Sequence, residues 1–324
     1  MDITFDNTKN EAEFFRILSD TGHGDLCSRI HKNEPLCLHT TFKIGGPADL
    51  FADPAGLLEV IALYQAALKS GLPCFVLGNG SNLVVSDKGI EGLVIHLGDA
   101  LSRIWFEEDP EDSGAVFVHA YAGALLSQVA LSCAKRGLAG MEFAAGIPGS
   151  IGGAIFMNAG AYGNQMSDVV YQSVFLTPEG DMRTLSQTEH AYGYRKSYFL
   201  SNGGIILSVV LRLFPGDKES VMDRIRELNA KRSASQPLTM PSAGSAFKRP
   251  EGCFAGALIQ EAGLKGLAVG GASISEKHAG FIVNTGDATA KDICDLVDKV
   301  KEAVKSHSGV TLEPEIRFVG RSLS

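Results

Sequence analysis

Two stretches of this chain have the composition that lays bare main chain against a ligand. Ala144–Gly163, AAGIPGSIGGAIFMNAGAYG, carries glycines at 146, 149, 152, 153, 160 and 163 and no ionisable side chain apart from the Tyr162 phenol. Glycine leaves backbone N–H groups uncovered and permits φ > 0, the geometry of anion-binding nests. Something flat or phosphorylated fits against such a stretch, and so does a close-packed turn with no ligand at all. The second stretch is Gly78–Asn82, GNGSN, between the apolar runs 73–77 and 83–85. It is not a dinucleotide fingerprint, because Leu83 stands where the third glycine belongs and Leu83-Val84-Val85 favours a strand over a helix. Asp99 lies at the distance of a ribose-binding acid, but without the motif that spacing carries nothing. No GxxxxGK[ST] loop is present. A nucleotide held here would rest on the amides of 78–82, with the Ser81 hydroxyl and Asn82 amide as further donors. Taken by itself, the loop reads as a hairpin turn.

Other chemistries find no pattern. The cysteines at 27, 37, 74, 133, 253 and 294 form no CxxC pair, which predicts free thiols and neither a disulfide frame nor a zinc site. The eight histidines include no HExxH, so no metal centre is expected. Ser245 sits in a Gly-Ser turn without GxSxG, which excludes a hydrolase elbow. Arg195 beside Lys196 reads equally well as a solvated face, and Glu313 and Glu315 share one side of an extended segment. Pattern alone does not choose between those two carboxylates.

Composition bounds the class. Hydrophobic residues at 45% and charged residues at 20% describe a soluble globular protein, and 324 residues predict two or three domains. A net charge of −8 argues against general nucleic-acid or anionic-membrane binding, while leaving room for a local basic pocket. The N-terminus MDITFDNTKNE has neither a basic n-region nor an apolar core, so a cytoplasmic location is expected. No window reaches the ~18 apolar residues of a membrane span.

The elements that must position these stretches follow from periodicity. Helices are predicted over 10–20, from 57 to Gly71, over 125–136, beyond Pro215-Gly216-Asp217, near 254–262, and after the Thr289/Asp292 capping box as far as Gly309. Strands are predicted over 73–77, 83–85, 92–97, 115–121, 169–176 and 204–214, and around 267–274 and 280–284. Thr40–Asp53 reads as a strand broken at Gly45-Gly46-Pro47, and Glu107–Ser113 as an exposed acidic connection. Val310–Val319 reads as an edge strand through Pro314, with Val310, Leu312, Ile316 and Phe318 inward. The alternation of short strands with fewer helices predicts an α+β protein.

Six motifs then share one resemblance: FKIGGPADL, LGNGSNLVV, AGIPGSIGGAIFMNAGAYG, YRKSYF, PSAGSAFKRP and LEPEIRFVG. In order, from about residue 35 to 320, they resemble the signatures of the UDP-N-acetylenolpyruvoylglucosamine reductases, the flavoenzymes that complete UDP-N-acetylmuramate for peptidoglycan. The resemblance implies a two-subdomain FAD-binding domain of the vanillyl-alcohol-oxidase type over 1–214, divided near residue 100. A smaller α+β substrate domain would follow over 215–324, its C-terminal strand returning to the active site. The short chain between Arg195 and Ser245 resembles the compact second subtype of the family.

What the resemblance implies for the site is specific. NADPH would reduce noncovalently bound FAD, and the flavin would reduce the enolpyruvyl ether of UDP-N-acetylglucosamine. Ser245 stands in the position of the proton donor, Arg195 in that of the arginine beside the substrate carboxylate, and Glu315 in that of the C-terminal glutamate. Glu315 is preferred to Glu313 because the family's glutamate lies two residues before the basic or polar position of ExRFxG. The flavin loops would be Ile44, Gly45, Gly46 and Pro47; Gly78, Asn79, Gly80, Ser81, Asn82 and Leu83; Gly146, Ile147, Pro148, Gly149, Gly152 and Gly153; and Asn158 with Ala159. These loops hold no His or Cys to tether a flavin and no Lys or Arg, so backbone amides would neutralise the diphosphate. Tyr162, Lys248 and Arg249 are the candidate substrate contacts, and with Ser235 standing where other members have Lys, Lys231 is the candidate diphosphate-binding lysine. A related FAD oxidase of sugars or alcohols would instead require a tethering His or Cys. A flavin or nucleotide-sugar binding module would have no use for Arg195, Ser245 and Glu315 together.

Overall fold

The computed structural model describes residues 7–112 and 114–322. In chain order the first elements are α1 (Asn7–Asp20), β1 (Ile30–Pro35), β2 (Pro47–Ala52), α2 (Leu57–Ser70), β3 (Cys74–Leu77), β4 (Leu83–Val85) and β5 (Ile90–His96). Next come β6 (Ile104–Glu108), β7 (Val116–Tyr121), α3 (Leu126–Lys135), β8 (Leu138–Ala139), α4 (Ile151–Met157), β9 (Gly160–Ala161) and β10 (Asn164–Gln165). They continue through β11 (Val170–Leu176), β12 (Met182–Ser186), α5 (Tyr198–Asn202), β13 (Ile205–Pro215) and α6 (Lys218–Ser235). The last are α7 (Ala255–Glu261), β14 (Ala268–Val269), β15 (Ala272–Ile274), β16 (Ile282–Asn284), α8 (Ala290–Ser308) and β17 (Arg317–Val319). The class is α+β. Two compact units emerge: one runs up to Lys32 and includes Leu50–Asn79 and Gly92–Ala230, and the other holds Asn33–Asp49, Gly80–Glu91 and the chain from Lys231. Short segments near 40 and 85 therefore pack with the C-terminal third.

The first unit is built on a six-stranded sheet of order β12-β11-β13-β7-β6, with β8 on the far end of β13 and every pairing antiparallel. Its centre is β13, IILSVVLRLFP, whose near-continuous apolar run suits a strand with neighbours on both sides. Val209, Leu211 and Leu213 from β13 join Val118 and Ala120 from β7 in the core. Helix α3 contributes Leu126, Val129, Ala130 and Cys133, spaced i, i+3, i+4, i+7 along one stripe. A parallel pair, β3 with β5, aligns Cys74 with Leu93 and Leu77 with His96. No helix among the described residues is long and apolar enough to cross a membrane.

The second unit has its own core of Phe42, Ile44, Val84, Phe247, Ile259, Ile282, Leu296, Val300, Leu312 and Ile316. Helix α8 starts at the expected capping box, with Thr289 Oγ1 accepting from the Asp292 N–H at 3.0 Å and the Asp292 carboxylate accepting from the Thr289 N–H. It ends at Gly309 in the left-handed conformation, φ 75°. The carboxylate of Asp87 accepts from the N–H groups of Ala290 and Lys291, at 2.8 and 3.2 Å. A residue from over 200 positions away thus completes the helix start.

Four expectations are corrected. Thr40–Gly46 is not strand but a run of turns, with Lys43 at φ 60° and Gly45 at φ 135°; the strand begins only at Pro47. Glu107 and Glu108 belong to β6, an edge strand, where outward charge is tolerated. Asp109 is buried, not exposed, because Arg212 Nε donates to it at 2.7 Å and the Glu111 N–H at 2.9 Å. Val310–Val319 is strand only over its last three residues, which pair in parallel with β4, Arg317 opposite Leu83. Pro314 removes a ladder donor and leaves only a single bridge, to Phe247. The exposed edge strand β12 carried no apolar alternation by which to find it.

The Glu111 N–H and then the Arg212 guanidinium hold the Asp109 carboxyl below the usual carboxylate range. A depressed carboxylate contributes stability above its unfolded pKa of about 3.9 and loses it as the pH falls through the folded value. Asp109→Asn should therefore lower the melting temperature at pH 7, with the gap to the parent protein closing below about pH 4 in a thermal series.

Candidate active site

In the first unit the glycine-rich stretch is partly helical. Glycines 146, 149, 152 and 153 all have negative φ, so they do not form the left-handed nest that their composition suggested. Gly152 and Gly153 open the short helix α4, with Ser150 as N-cap: its Oγ accepts from the Gly153 N–H at 3.3 Å. Gly152 serves packing, since a β-carbon there would lie 2.8 Å from Ala122 Cβ and 3.0 Å from its oxygen. Its N–H donates to that same Ala122 oxygen at 2.9 Å. Gly153 is exposed, with only Ser150 Oγ near, at 3.4 Å. Asn79 donates its side-chain amide to the Pro148 carbonyl, which ties the end of β3 to this stretch.

The end of α4 holds Arg195. Gly193–Lys196 is a two-residue turn closed by paired backbone bonds of 3.1 Å, with Arg195 in the left-handed region at φ 52°. Arg195 donates to the carbonyl oxygens of Asn158, at 3.4 Å, and Gly160, at 3.1 Å, and packs over the Tyr194 ring. Asn158 Nδ2 donates to the Gly193 oxygen at 2.9 Å, and Ser197 Oγ to the Phe156 oxygen at 2.6 Å. Tyr162 projects from a left-handed position, φ 55°, and its hydroxyl donates to the Leu228 carbonyl at 3.2 Å. Of the seven non-glycine residues at positive φ among those described, Asn158, Tyr162 and Arg195 fall in this one neighbourhood. Each costs roughly 1–2 kcal/mol in an L-residue, and such strain gathers where function requires a fixed side chain.

In the second unit Ser245 and Glu315 lie on paired segments. The Glu315 N–H donates to the Ala246 oxygen at 2.9 Å, and the Lys248 N–H donates to the Glu313 oxygen at 2.8 Å. On the other side the Ala246 N–H donates to the Gly280 oxygen at 2.8 Å, with Ser245 bridged to Phe281. Ser245 is exposed between two buried neighbours, Ala243 and Ala246, that anchor its turn. The two candidate carboxylates have different surroundings: exposed Glu313 pairs with Lys248 Nζ at 3.1 Å, while Glu315 is half-buried. Asn82 Nδ2 donates to the Glu315 carbonyl at 3.2 Å, and the Asn82 oxygen accepts from the Arg317 N–H at 2.9 Å. Burial lowers the Arg317 pKa from the ordinary arginine value without discharging it. Arg249 stacks over the exposed Phe254 ring at 3.8 Å.

The amide inventory fits an anion. Within the first unit the N–H groups of Gly78, Asn79, Gly146 and Gly149 meet no protein acceptor among the described residues. Within the second, the same holds for Gly80, Ser81 and Asn82. Backbone donors left open in glycine-rich loops devoid of Lys and Arg are the chemistry of a diphosphate cradle. Ile44, by contrast, is a core residue, and the Gly46 N–H is already donated to Ser86.

Comparison with known proteins agrees with this architecture. Residues 48–186 match an FAD binding domain model, and residues 236–319 match the C-terminal domain model of UDP-N-acetylenolpyruvoylglucosamine reductase. A reductase of that name from Lachnoclostridium phytofermentans is 46% identical over 296 residues, 91% of this chain and 94% of the relative. One from Streptococcus pyogenes serotype M1 is 46% identical over 91% of this chain and 97% of its own. The crystal structure of the Thermus caldophilus enzyme superposes with a TM-score of 0.75 at 37% identity, covering 90% of this chain and 98% of that one. The chain belongs to the UDP-N-acetylenolpyruvoylglucosamine reductase family.

Sequence reasoning missed helix α4 because two glycines depress its helix propensity by about 1 kcal/mol each; Ser150 before an apolar run was the available signal. Asn158, expected among the flavin-binding residues, has a fully buried side chain. Nothing local to Asp87 signals its cap on α8. Gly152→Ala should cost about 1–3 kcal/mol in urea denaturation, by overpacking against Ala122. Gly153→Ala should be neutral or stabilising by up to ~1 kcal/mol.

Proposed function

We propose that this chain reduces UDP-N-acetylglucosamine enolpyruvate to UDP-N-acetylmuramate with NADPH, using noncovalently held FAD, as a step in peptidoglycan-precursor synthesis in the cytoplasm. The observation that carries the reading is the backbone pairing of the Ser245–Lys248 segment with Glu313–Glu315, in a chain 46% identical to named reductases over nine-tenths of its length. The reaction adds a hydride to the methylene carbon of the enol ether and a proton to the adjacent carbon. Bound flavin supplies the hydride-transfer chemistry between nicotinamide and that methylene carbon.

The protein's own residues supply the rest. Negative charge builds on the substrate carboxylate as an enolate, and Arg195, held by two carbonyl oxygens, presents a planar cation suited to it. The Ser245 hydroxyl delivers the proton; so weak an acid serves only because the enolate is strongly basic. Glu315 lies across the pairing from Ala246 and polarises the carboxylate as a protonated or proton-sharing partner. Lys248 and Arg249 are the contacts for the UDP diphosphate. The exposed Lys248–Glu313 pair is worth at most ~1 kcal/mol, so a phosphate displaces it at little cost. Tyr162 would be a further substrate contact, as the tyrosine of the family's AGAYG motif is. The candidates to hold the flavin diphosphate are the open amides of 78, 79, 146 and 149 in the first unit and those of 80–82 in the second.

Ser245→Ala should leave reduction of the flavin by NADPH near the parent rate while slowing reoxidation by the enolpyruvyl substrate ~10²-fold or more in anaerobic stopped flow. Equal loss in both half-reactions would overturn its role as proton donor. Glu315→Gln should follow Ser245→Ala, whereas Glu313→Gln should stay within about threefold of the parent in the same assay.

A further inference from the structure

We propose that Asn158 is a positioning residue that sets the Arg195 guanidinium and contributes no side-chain contact to the flavin. The inference rests on the reading of Arg195 given above. Asn158 closes α4 in the left-handed conformation, φ 44°, with its side chain fully buried. Its amide is spent on the donor side: Nδ2 donates to Gln165 Oε1 at 3.1 Å and to the Gly193 oxygen at 2.9 Å. Its Oδ1 accepts from the Ser167 N–H at 3.0 Å. An amide has two N–H donors, so no donor remains for a cofactor.

Those same bonds converge on the Arg195 turn. Gly193 is the base of the turn, and the Asn158 side chain grips its carbonyl. The Asn158 backbone oxygen accepts from Arg195 Nη1 at 3.4 Å, and the Gly160 oxygen, two residues on, accepts from Nη2 at 3.1 Å. One residue therefore holds both the base of the turn and one arm of the guanidinium fork. A free arginine side chain carries about 2 kcal/mol of rotamer entropy, and these anchors remove that freedom before substrate arrives. Asn158→Asp keeps the shape and the Oδ1 acceptor but loses both donors and sets carboxylate oxygen against the Gly193 carbonyl. Asn158→Gly keeps the left-handed backbone without strain and loses the side chain altogether.

The test is a double-mutant cycle on the FAD-loaded enzyme with Arg195→Lys, reading the two half-reactions separately by anaerobic stopped flow. Asn158→Asp should retain full flavin content and the parent rate of reduction by NADPH, while reoxidation by substrate slows ~10- to 100-fold. The double variant should be no slower than Arg195→Lys alone, within about twofold, because two residues acting as one unit are not additive. Asn158→Gly should show the same non-additivity, which keeps the test open if the Asp variant folds poorly. Fully additive losses, or lost flavin with reoxidation intact, would overturn the role of Asn158. Parent-rate reoxidation in Arg195→Lys would instead overturn the reading of Arg195 itself.

Discussion

In each unit a glycine lets two stretches of main chain meet where a β-carbon would collide. Gly152 lies against Ala122 in the first, and Gly46 against the Asp87 carbonyl in the second. At Gly152 the close approach is also a hydrogen bond, which fixes the start of α4 and hence its end, where Asn158 and the Arg195 turn are attached. At Gly46 the N–H is donated to Ser86, so the 44–47 segment and the turn after β4 become one piece. Side-chain chemistry at the site therefore depends on backbone spacing set some distance away. A single methyl group at either glycine would displace the frame, not the functional groups themselves.

The second unit extends this logic along the C-terminal segment. That segment is pinned before β17 by Ala246 and Asn82, and after it by Arg321, which donates to the Lys88 carbonyl at 3.1 Å and to both carboxylate oxygens of Asp49 at 2.8 and 2.7 Å. Glu315 lies between these attachments. Asp87, in the turn gripped by Gly46, caps α8. Ser245, Glu315 and the amides of 80–82 thus belong to one contiguous hydrogen-bonded body, which suits chemistry that tolerates errors of only about an ångström.

Much of the fold was legible because local signals agreed with tertiary ones. Thr289, Asp292 and Gly309 delimit α8 at the residues their capping chemistry demands, and the apolar run of β13 marks the sheet centre. The family was legible from six ordered motifs. The illegible parts have physical reasons. Strand β12 exposes nearly every residue, so no alternation is written in it. Asp109 reads as a solvated acid until Arg212, about a hundred residues on, is folded against it. Glycine composition flagged 144–163 correctly as special, yet the reason differs in part: Gly152 is needed for close packing, and the left-handed positions are Asn158, Tyr162 and Gly163. Glu313 and Glu315 were indistinguishable by pattern, and only the ladder shows that one faces Lys248.

The central claim is that one chain passes reducing equivalents from NADPH to an enolpyruvyl ether. It is tested most directly by the visible absorbance of the purified, FAD-loaded protein under anaerobic conditions. NADPH should bleach the yellow flavin, and UDP-N-acetylglucosamine enolpyruvate, added next, should restore the colour with formation of UDP-N-acetylmuramate. Bleaching that the second addition leaves unchanged, or a protein that takes up no flavin at all, would contradict the account.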